Sequence, residues 1–139
     1  MTTAVALTKK PVKRKKPTDY EHQEQVALFT WAKAVKRQYP ELALMFAIPN
    51  GGQRNIIVAA KLKAEGVKAG VPDLCLPVSR HGFHALYIEL KSSRGKGEMQ
   101  QNQIEWQQAL NEAGNLAITC WDWPKAQQSI IEYLKGEKA

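Results

Sequence analysis

Val71-Pro72-Asp73-Leu74-Cys75-Leu76-Pro77-Val78, a short polar turn at Ser79–Gly82, and His84-Ala85-Leu86-Tyr87-Ile88-Glu89-Leu90-Lys91 decide how this chain is read. Side chains of a strand alternate between its faces. Glu89 and Lys91 therefore share one face, and Leu86, Ile88 and Leu90 share the other. Leu74 and Leu76 likewise turn away from Asp73. If Asp73–Val78 and His84–Lys91 pair as a hairpin, two carboxylates and one ammonium meet at one end of a small sheet. Such a group suits a divalent cation. Taken alone, a Glu-x-Lys strand reads more simply as a surface ion pair, which contributes little, so the rest of the chain must decide.

Working outward, Tyr20 to about Gln38 has helical spacing, with Leu28, Trp31 and Val35 as its apolar stripe. Four residues before Leu28, Glu24 falls on the same inward face, either at the rim of the core or aimed into a site. Glu21, one turn further out, suits the ordinary role of an acid near a helix N-terminus. Thr18 and Asp19 are candidate caps. Pro40 breaks the pattern, and the apolar run Leu42–Ile48 reads as a buried strand. Pro49-Asn50-Gly51-Gly52-Gln53-Arg54 is a Gly-rich loop before a helix over Arg54–Glu65, a candidate phosphate contact, although Asn50-Gly51 also suits a hairpin turn. Lys68 extends the basic character toward Asp73. After Lys91, Ser92-Ser93-Arg94-Gly95-Lys96-Gly97 is a basic loop that holds a nucleic-acid strand or is simply a mobile tip. Met99–Ala113 is helical, with Met99, Trp106, Leu110 and Ala113 inward. Gln103 interrupts that stripe, so its amide reaches either the carboxylates or a neighbouring backbone group. Leu116–Trp121 reads as a strand. A final helix starts near Pro124, with Ala126, Ile130, Ile131 and Leu134 inward. The order is α-β-α-β-β-α-β-α: an α/β chain with one mixed sheet and helices packed around it.

Composition fits a globular domain, at 44% hydrophobic and 24% charged residues among 139. No apolar run approaches the ~18 residues of a membrane span. No apolar segment and cleavage site follow the basic N-terminus, so no secretory leader is expected. Cys75 and Cys120 sit in apolar runs without zinc-site spacing and read as buried thiols of a cytosolic protein. The three histidines, His22, His81 and His84, also lack ligand spacing and read as surface residues. The net charge of +7 is uneven. Lys9, Lys10, Lys13, Arg14, Lys15 and Lys16 give residues 1–18 a charge of +6, with no acid, which leaves +1 for the remainder. Residues 1–18 are thus expected to be a disordered basic tail, binding phosphate backbones in a salt-dependent way or serving only as a solvated leader.

Hard divalent cations take oxygen ligands. Asp73 and Glu89 would supply two, and the backbone carbonyl of Leu90 a third. Glu24 would complete the metal shell or hold a second metal. Lys91 would orient a water or stabilise charge on a phosphoryl group. With Gln103 nearby, the chemistry is phosphodiester hydrolysis.

Pro72-Asp73 followed by Glu89-Leu90-Lys91 resembles the Pro-Asp…Glu-x-Lys signature of restriction-endonuclease-like nucleases. The longer run is more specific: Pro-Asn-Gly-Gly-x-Arg from Pro49, Gly-Val-x-x-Gly-Val-Pro-Asp-Leu from Gly66, then Ile-Glu-Leu-Lys. A Gly/Lys loop, Gln103-x-x-Trp106, Leu110 and Gly114 complete it. It is similar to the virus-type replication-repair nuclease (VRR-NUC) domain from Tyr20 onward, which places the nuclease domain at residues 19–139. The resemblance implies a restriction-endonuclease-like core and a DNA endonuclease using Mg2+, or Mn2+ as substitute. It also implies metal-binding acids at Asp73 and Glu89, a catalytic Lys91, a first-helix glutamate falling on Glu24 and a helical glutamine on Gln103. Stand-alone members resemble homodimeric Holliday-junction resolvases of phages and prophages, which implies branched DNA as partner and a cytoplasmic location in a bacterial or phage-infected cell. The Met99-Gln100-Gln101 helix start departs from the family's Ser-Pro type. A non-cleaving branched-DNA-binding module and a sequence-specific restriction-type endonuclease are the alternatives.

Overall fold

The computed structural model describes residues 17–49, 55–95 and 97–138. Its first helix, α1 (Pro17–Ala34), begins at a proline, which has no N–H to leave unpaired at a helix start. Thr18 and Asp19, the candidate caps, therefore lie inside the first turn. Leu28 and Ala32, one turn apart, are buried, and Phe29, Trp31 and Val35 pack against the same core.

The expected strand over Leu42–Ile48 is mostly a 3-10 helix, Pro40–Leu44. Pro40 presets the backbone of the first turn, and Leu42 and Met45, three residues apart, are both buried as 3-10 spacing requires. Only Phe46–Ala47 remain extended, as β1. Helix α2 (Ile56–Ala64) is started by Asn55, whose Oδ1 accepts the Val58 N–H at 2.9 Å. Strands β2 (Leu74–Leu76) and β3 (Leu86–Lys91), helix α3 (Gln101–Glu112), strand β4 (Leu116–Trp121) and helix α4 (Trp123–Leu134) follow. Both strands of the central hairpin are shorter at their turn-side ends than the sequence suggested.

The described strands form one mixed sheet in the order β1-β2-β3-β4. β1, β2 and β3 pair antiparallel, and β3 and β4 pair parallel with α3 as the crossover. Leu74, Leu76, Leu86, Ile88, Leu90 and Cys120 form one face of the core. Leu28 and Ala32 of α1 and Ala126, Ile130 and Tyr133 of α4 complete it. Tyr133 takes the buried place expected for Ile131, and its hydroxyl donates to the Val78 carbonyl at 2.6 Å. Each fully buried aliphatic side chain contributes roughly 1.5–3 kcal/mol. Truncating Ile88 to Ala at the centre would cost about 2–5 kcal/mol.

The outer edge of β4 is covered by amides of α3. Asn111 accepts the Ala117 N–H at 2.8 Å and donates to the Ala117 carbonyl at 3.2 Å, and Gln107 donates to the same carbonyl at 3.0 Å. These side chains replace a neighbouring strand, so the edge offers less to a foreign one. Helix α3 buries no residue fully, and neither does α2.

Candidate active site

Register places the acids. Leu74 pairs with Ile88, so the next step along the hairpin sets Asp73 against Glu89 at the C-terminal end of β3. The Asp73 Oδ2 accepts the Leu90 N–H at 2.7 Å, beyond the last residue pair of β2 and β3. A strand residue's N–H and C=O point the same way, so the Leu90 carbonyl also lies on the Asp73 side.

Glu89 is buried, with 4% of its surface exposed, and its Oε1 has no hydrogen-bond partner. Burial pushes its carboxyl up to about 10, and the hydrogen bond and charge of Asp73 add to that against the opposing Lys91 ammonium. Lys91 is equally buried at 4%, and its Nζ lies 3.8 Å from Glu21 Oε1. The Glu21 carboxyl is also raised, first by burial and then by Asp73, with Lys91 opposing. Gly97 closes over this pair: a Cβ there would meet Glu21 Oε1 at 3.0 Å and Lys91 Cδ at 3.9 Å.

Glu21 and Glu89 thus share the Lys91 ammonium, and Asp73 acts on both carboxyls. An orphaned buried oxygen beside a second carboxylate is a costly arrangement for a bare protein and a fitting one for a cation. Among the described residues no three His, Cys, Asp or Glu side chains gather as a ligand set. Asp73, Glu89 and the Leu90 carbonyl are therefore the protein donors on hand, a set that suits a hard cation retaining several waters.

The two helix-one glutamates take different partners. Glu24 is buried, as its place on the inward face required, but its Oε1 accepts the Trp123 N–H at 3.4 Å. Burial raises its carboxyl, the Trp123 bond opposes this, and Asp122 raises it further. Glu21 is the glutamate beside Lys91. Gln103 accepts the Gln100 N–H through Oε1 at 2.9 Å and completes a capping box at the start of α3. Of its two expected partners, the structure supplies the backbone one, which makes up for the missing Ser-Pro start.

Ser92 was expected to face nucleic acid, yet it is fully buried and its Oγ accepts the Arg94 N–H at 3.2 Å. A buried hydroxyl presents nothing to a phosphate; it shapes the loop. Arg94 is exposed, bonds Gln23 Oε1 at 3.2 Å and lies 4.9 Å over the Tyr20 ring. Lys68 is exposed in the segment before β2. Asn50, Gly51, Gly52, Gln53, Arg54, Lys96 and the tail residues Lys9, Lys10, Lys13, Arg14, Lys15 and Lys16 lie outside the described residues. Cys75 and Cys120 are buried free thiols, and the three histidines are exposed.

Sequence reasoning passed over Ser93 and Asp122. Asp122 Oδ1 accepts the Ser93 N–H at 3.0 Å and Oδ2 the Ser93 hydroxyl at 2.6 Å. No motif marks either residue.

The sequence profile of the VRR-NUC domain matches residues 12–121. A solved structure described as a VRR_NUC domain protein has a TM-score of 0.72 and 28% identity to this chain, over 86% of this chain and 91% of that one. No curated protein matches. The profile spans α1 through β4, including Glu21, Asp73, Glu89 and Lys91, and the solved structure shares the α/β fold that brings them together; the chain belongs to the VRR-NUC domain family, a nuclease domain of the PD-(D/E)XK type.

Proposed function

We propose that the chain is a metal-dependent DNA endonuclease that selects branched DNA, Holliday junctions among them, and acts as a homodimer. The observation that carries the metal dependence is the buried Glu89 Oε1 without a partner, beside Asp73. Asp73, Glu89 and the Leu90 carbonyl would hold Mg2+, or Mn2+ in its place. When bound, the ion supplies charge stabilisation at a phosphoryl oxygen and a more acidic water.

The chain's own residues do the rest. Asp73 holds the end of β3 through the Leu90 N–H and keeps the two carboxylates face to face. Lys91, with its ammonium buried, donates a hydrogen bond to the attacking water or to a non-bridging oxygen as negative charge grows there. Glu21 keeps that ammonium directed toward the carboxylates.

Branched DNA is supported by the family resemblance. A two-fold dimer would set two sites on opposed strands of a four-way junction. Support for a second copy comes from α2: Ile56 is 86% and Ile57 80% exposed. Exposed apolar residues of this kind mark interaction surfaces. Buried free thiols, and the lack of any described helix long and apolar enough to cross a membrane, support action in the cytoplasm. Phage or prophage origin rests on the resemblance, and the division into a basic tail at 1–18 and a nuclease domain at 19–139 rests on the uneven charge together with the resemblance.

The test is a cleavage panel of Holliday junctions, flaps, splayed arms and linear duplex with Mg2+, Mn2+ or chelator, with Asp73→Ala and Lys91→Ala as controls. Metal-dependent cutting of branched substrates, lost in both variants, is expected. Unchanged cutting by both variants would overturn the site. Junction binding with no product at any metal concentration would indicate a binding module, and discrete cuts in plain duplex a restriction-type enzyme.

A further inference from the structure

Lys91 ends β3, and an ammonium at a strand end is only as well placed as the backbone behind it. That backbone is gripped by one residue. The Asp122 N–H donates to the Lys91 carbonyl at 2.7 Å, continuing the β3–β4 ladder by one step. The carboxylate of Asp122 takes both the N–H and the hydroxyl of Ser93, at 3.0 and 2.6 Å. Asp122 therefore holds the chain on both sides of Ser92, which is itself fully buried.

Its backbone is unusual. Asp122 has φ 70° and ψ 148°, a region that side chains other than glycine rarely enter. A glycine would sit there without strain, yet an aspartate does. The chain accepts a strained residue where its side chain makes two bonds to the loop after Lys91.

A second tether leads from the same loop to α1. Arg94 bonds Gln23 and lies over Tyr20, on the helix turn that carries Glu21. Glu24, which accepts the Trp123 N–H and lies beside Asp122, joins α1 to the β4–α4 junction. The ends of β3, β4 and α1 are thus tied together around Lys91 and Glu21. Asp122 stands one residue beyond the span matched by the family profile.

We infer that Asp122 is a positioning residue for Lys91: its clasp on the Lys91 carbonyl and on Ser93 fixes where the buried ammonium stands. The inference rests on the nuclease reading above, since Lys91 needs placing only if it acts on a phosphate.

The experiment measures single-turnover and steady-state cleavage by the full chain carrying Asp122→Ala, Asp122→Gly, Asp122→Asn or Ser93→Ala, beside wild type, with thermal melts of each. Asp122→Ala and Asp122→Gly should lower kcat by about 10–100-fold, the range seen when a residue that orients a reacting group is removed, with KM and DNA affinity in chelator unchanged. Asp122→Gly relieves the strained backbone, so it should melt no lower than Asp122→Ala and still be slow, which separates placement from folding. Asp122→Asn keeps an acceptor for the Ser93 N–H and a donor for its hydroxyl, so it should recover kcat to within ~3-fold of wild type. If wild type cuts and the Ala and Gly variants cut equally fast per folded molecule, Asp122 positions nothing. A rise in KM at unchanged kcat would make the clasp part of the DNA grip and also overturn the inference. If wild type cuts no DNA with any metal, the nuclease reading fails and takes this inference with it.

Discussion

Two pairs of carboxyl groups stand at the same end of the sheet, and they are treated in opposite ways. Asp73 and Glu89 meet across the β2–β3 hairpin, where Glu89 is buried, pushed up to about 10, and left with an oxygen that nothing bonds. Glu24 and Asp122 meet at the β4–α4 junction, where both are bonded: Trp123 to Glu24, and Ser93 twice to Asp122. The Ser93 bonds hold the Asp122 carboxyl below the usual carboxylate range, while burial raises that of Glu24. A buried polar group without a partner destabilises a fold unless a ligand completes it. Under the proposed function, the pair bonded to Trp123 and Ser93 is a fastener, and the pair that holds the unbonded Glu89 oxygen is a receptor.

The largest effect that tests this contrast is removal of the receptor. Asp73→Ala and Glu89→Ala should each reduce cleavage by about 10³-fold, the equivalent of the several kcal/mol a positioned cation supplies. Both should also abolish the rise in melting temperature that Mg2+ or Mn2+ gives wild type. If either metal raises the melting temperature of both variants as much as that of wild type, the cation is held elsewhere.

Next in size is a gain in stability. Between the ordinary 4.5 and about 10, the unfolded chain leaves Glu89 ionised while the folded one keeps its proton. The folded state then binds more protons, so this group's contribution is fully present below 4.5 and is lost as pH rises toward 10. Glu89→Gln cannot ionise. In chelator it should melt above wild type by a few degrees at neutral pH, by more at alkaline pH, and by little under acid conditions, while binding no metal. A variant that melts below wild type across that range would show that Glu89 is already satisfied without a ligand.

Much of the hairpin's arrangement was legible in the sequence, because strand alternation is a strict rule. Leu86, Ile88 and Leu90 had to share a face, and Glu89 and Lys91 the opposite one, whatever else the chain did. The fastener was not legible. Nothing marks Asp122 between two tryptophans, and a positive φ at a residue other than glycine leaves no trace in composition or spacing. Leu42–Ile48 misled because an apolar run has no period of its own, so Pro40 decided the local conformation. Gln103 is half-buried, and helix α3 uses its oxygen for capping. For the helix-one acids, spacing could show that Glu24 points inward; it could not show that α1 crosses the sheet end so that Glu21, one turn earlier, meets Lys91.

That last difference gives the third measurement. Glu21→Gln removes the charge that faces Lys91 and should slow cleavage by roughly tenfold, the lower part of the range for residues that orient a catalytic group. DNA affinity in chelator should stay the same. A rate within twofold of wild type would leave Lys91 held by its backbone alone, and would place the burden on the Asp122 clasp.

The smallest effect is expected at Glu24, and it is the sharpest test of the contrast. Burial raises its carboxyl, so a neutral group of the same shape suits the place, and Glu24→Gln keeps an acceptor for the Trp123 N–H. With shape and that bond kept, stability should stay within about 0.5 kcal/mol, as for substitutions that leave packing and partners intact, and cleavage within ~2-fold of wild type. Glu24→Ala, by contrast, leaves the Trp123 N–H without its partner and should lower the melting temperature without a matching loss of rate per folded molecule. If Glu24→Gln instead stops cleavage as Asp73→Ala does, the ionised Glu24 carboxylate belongs to the receptor. The two acid pairs would then be one site that closes only when DNA and metal are present.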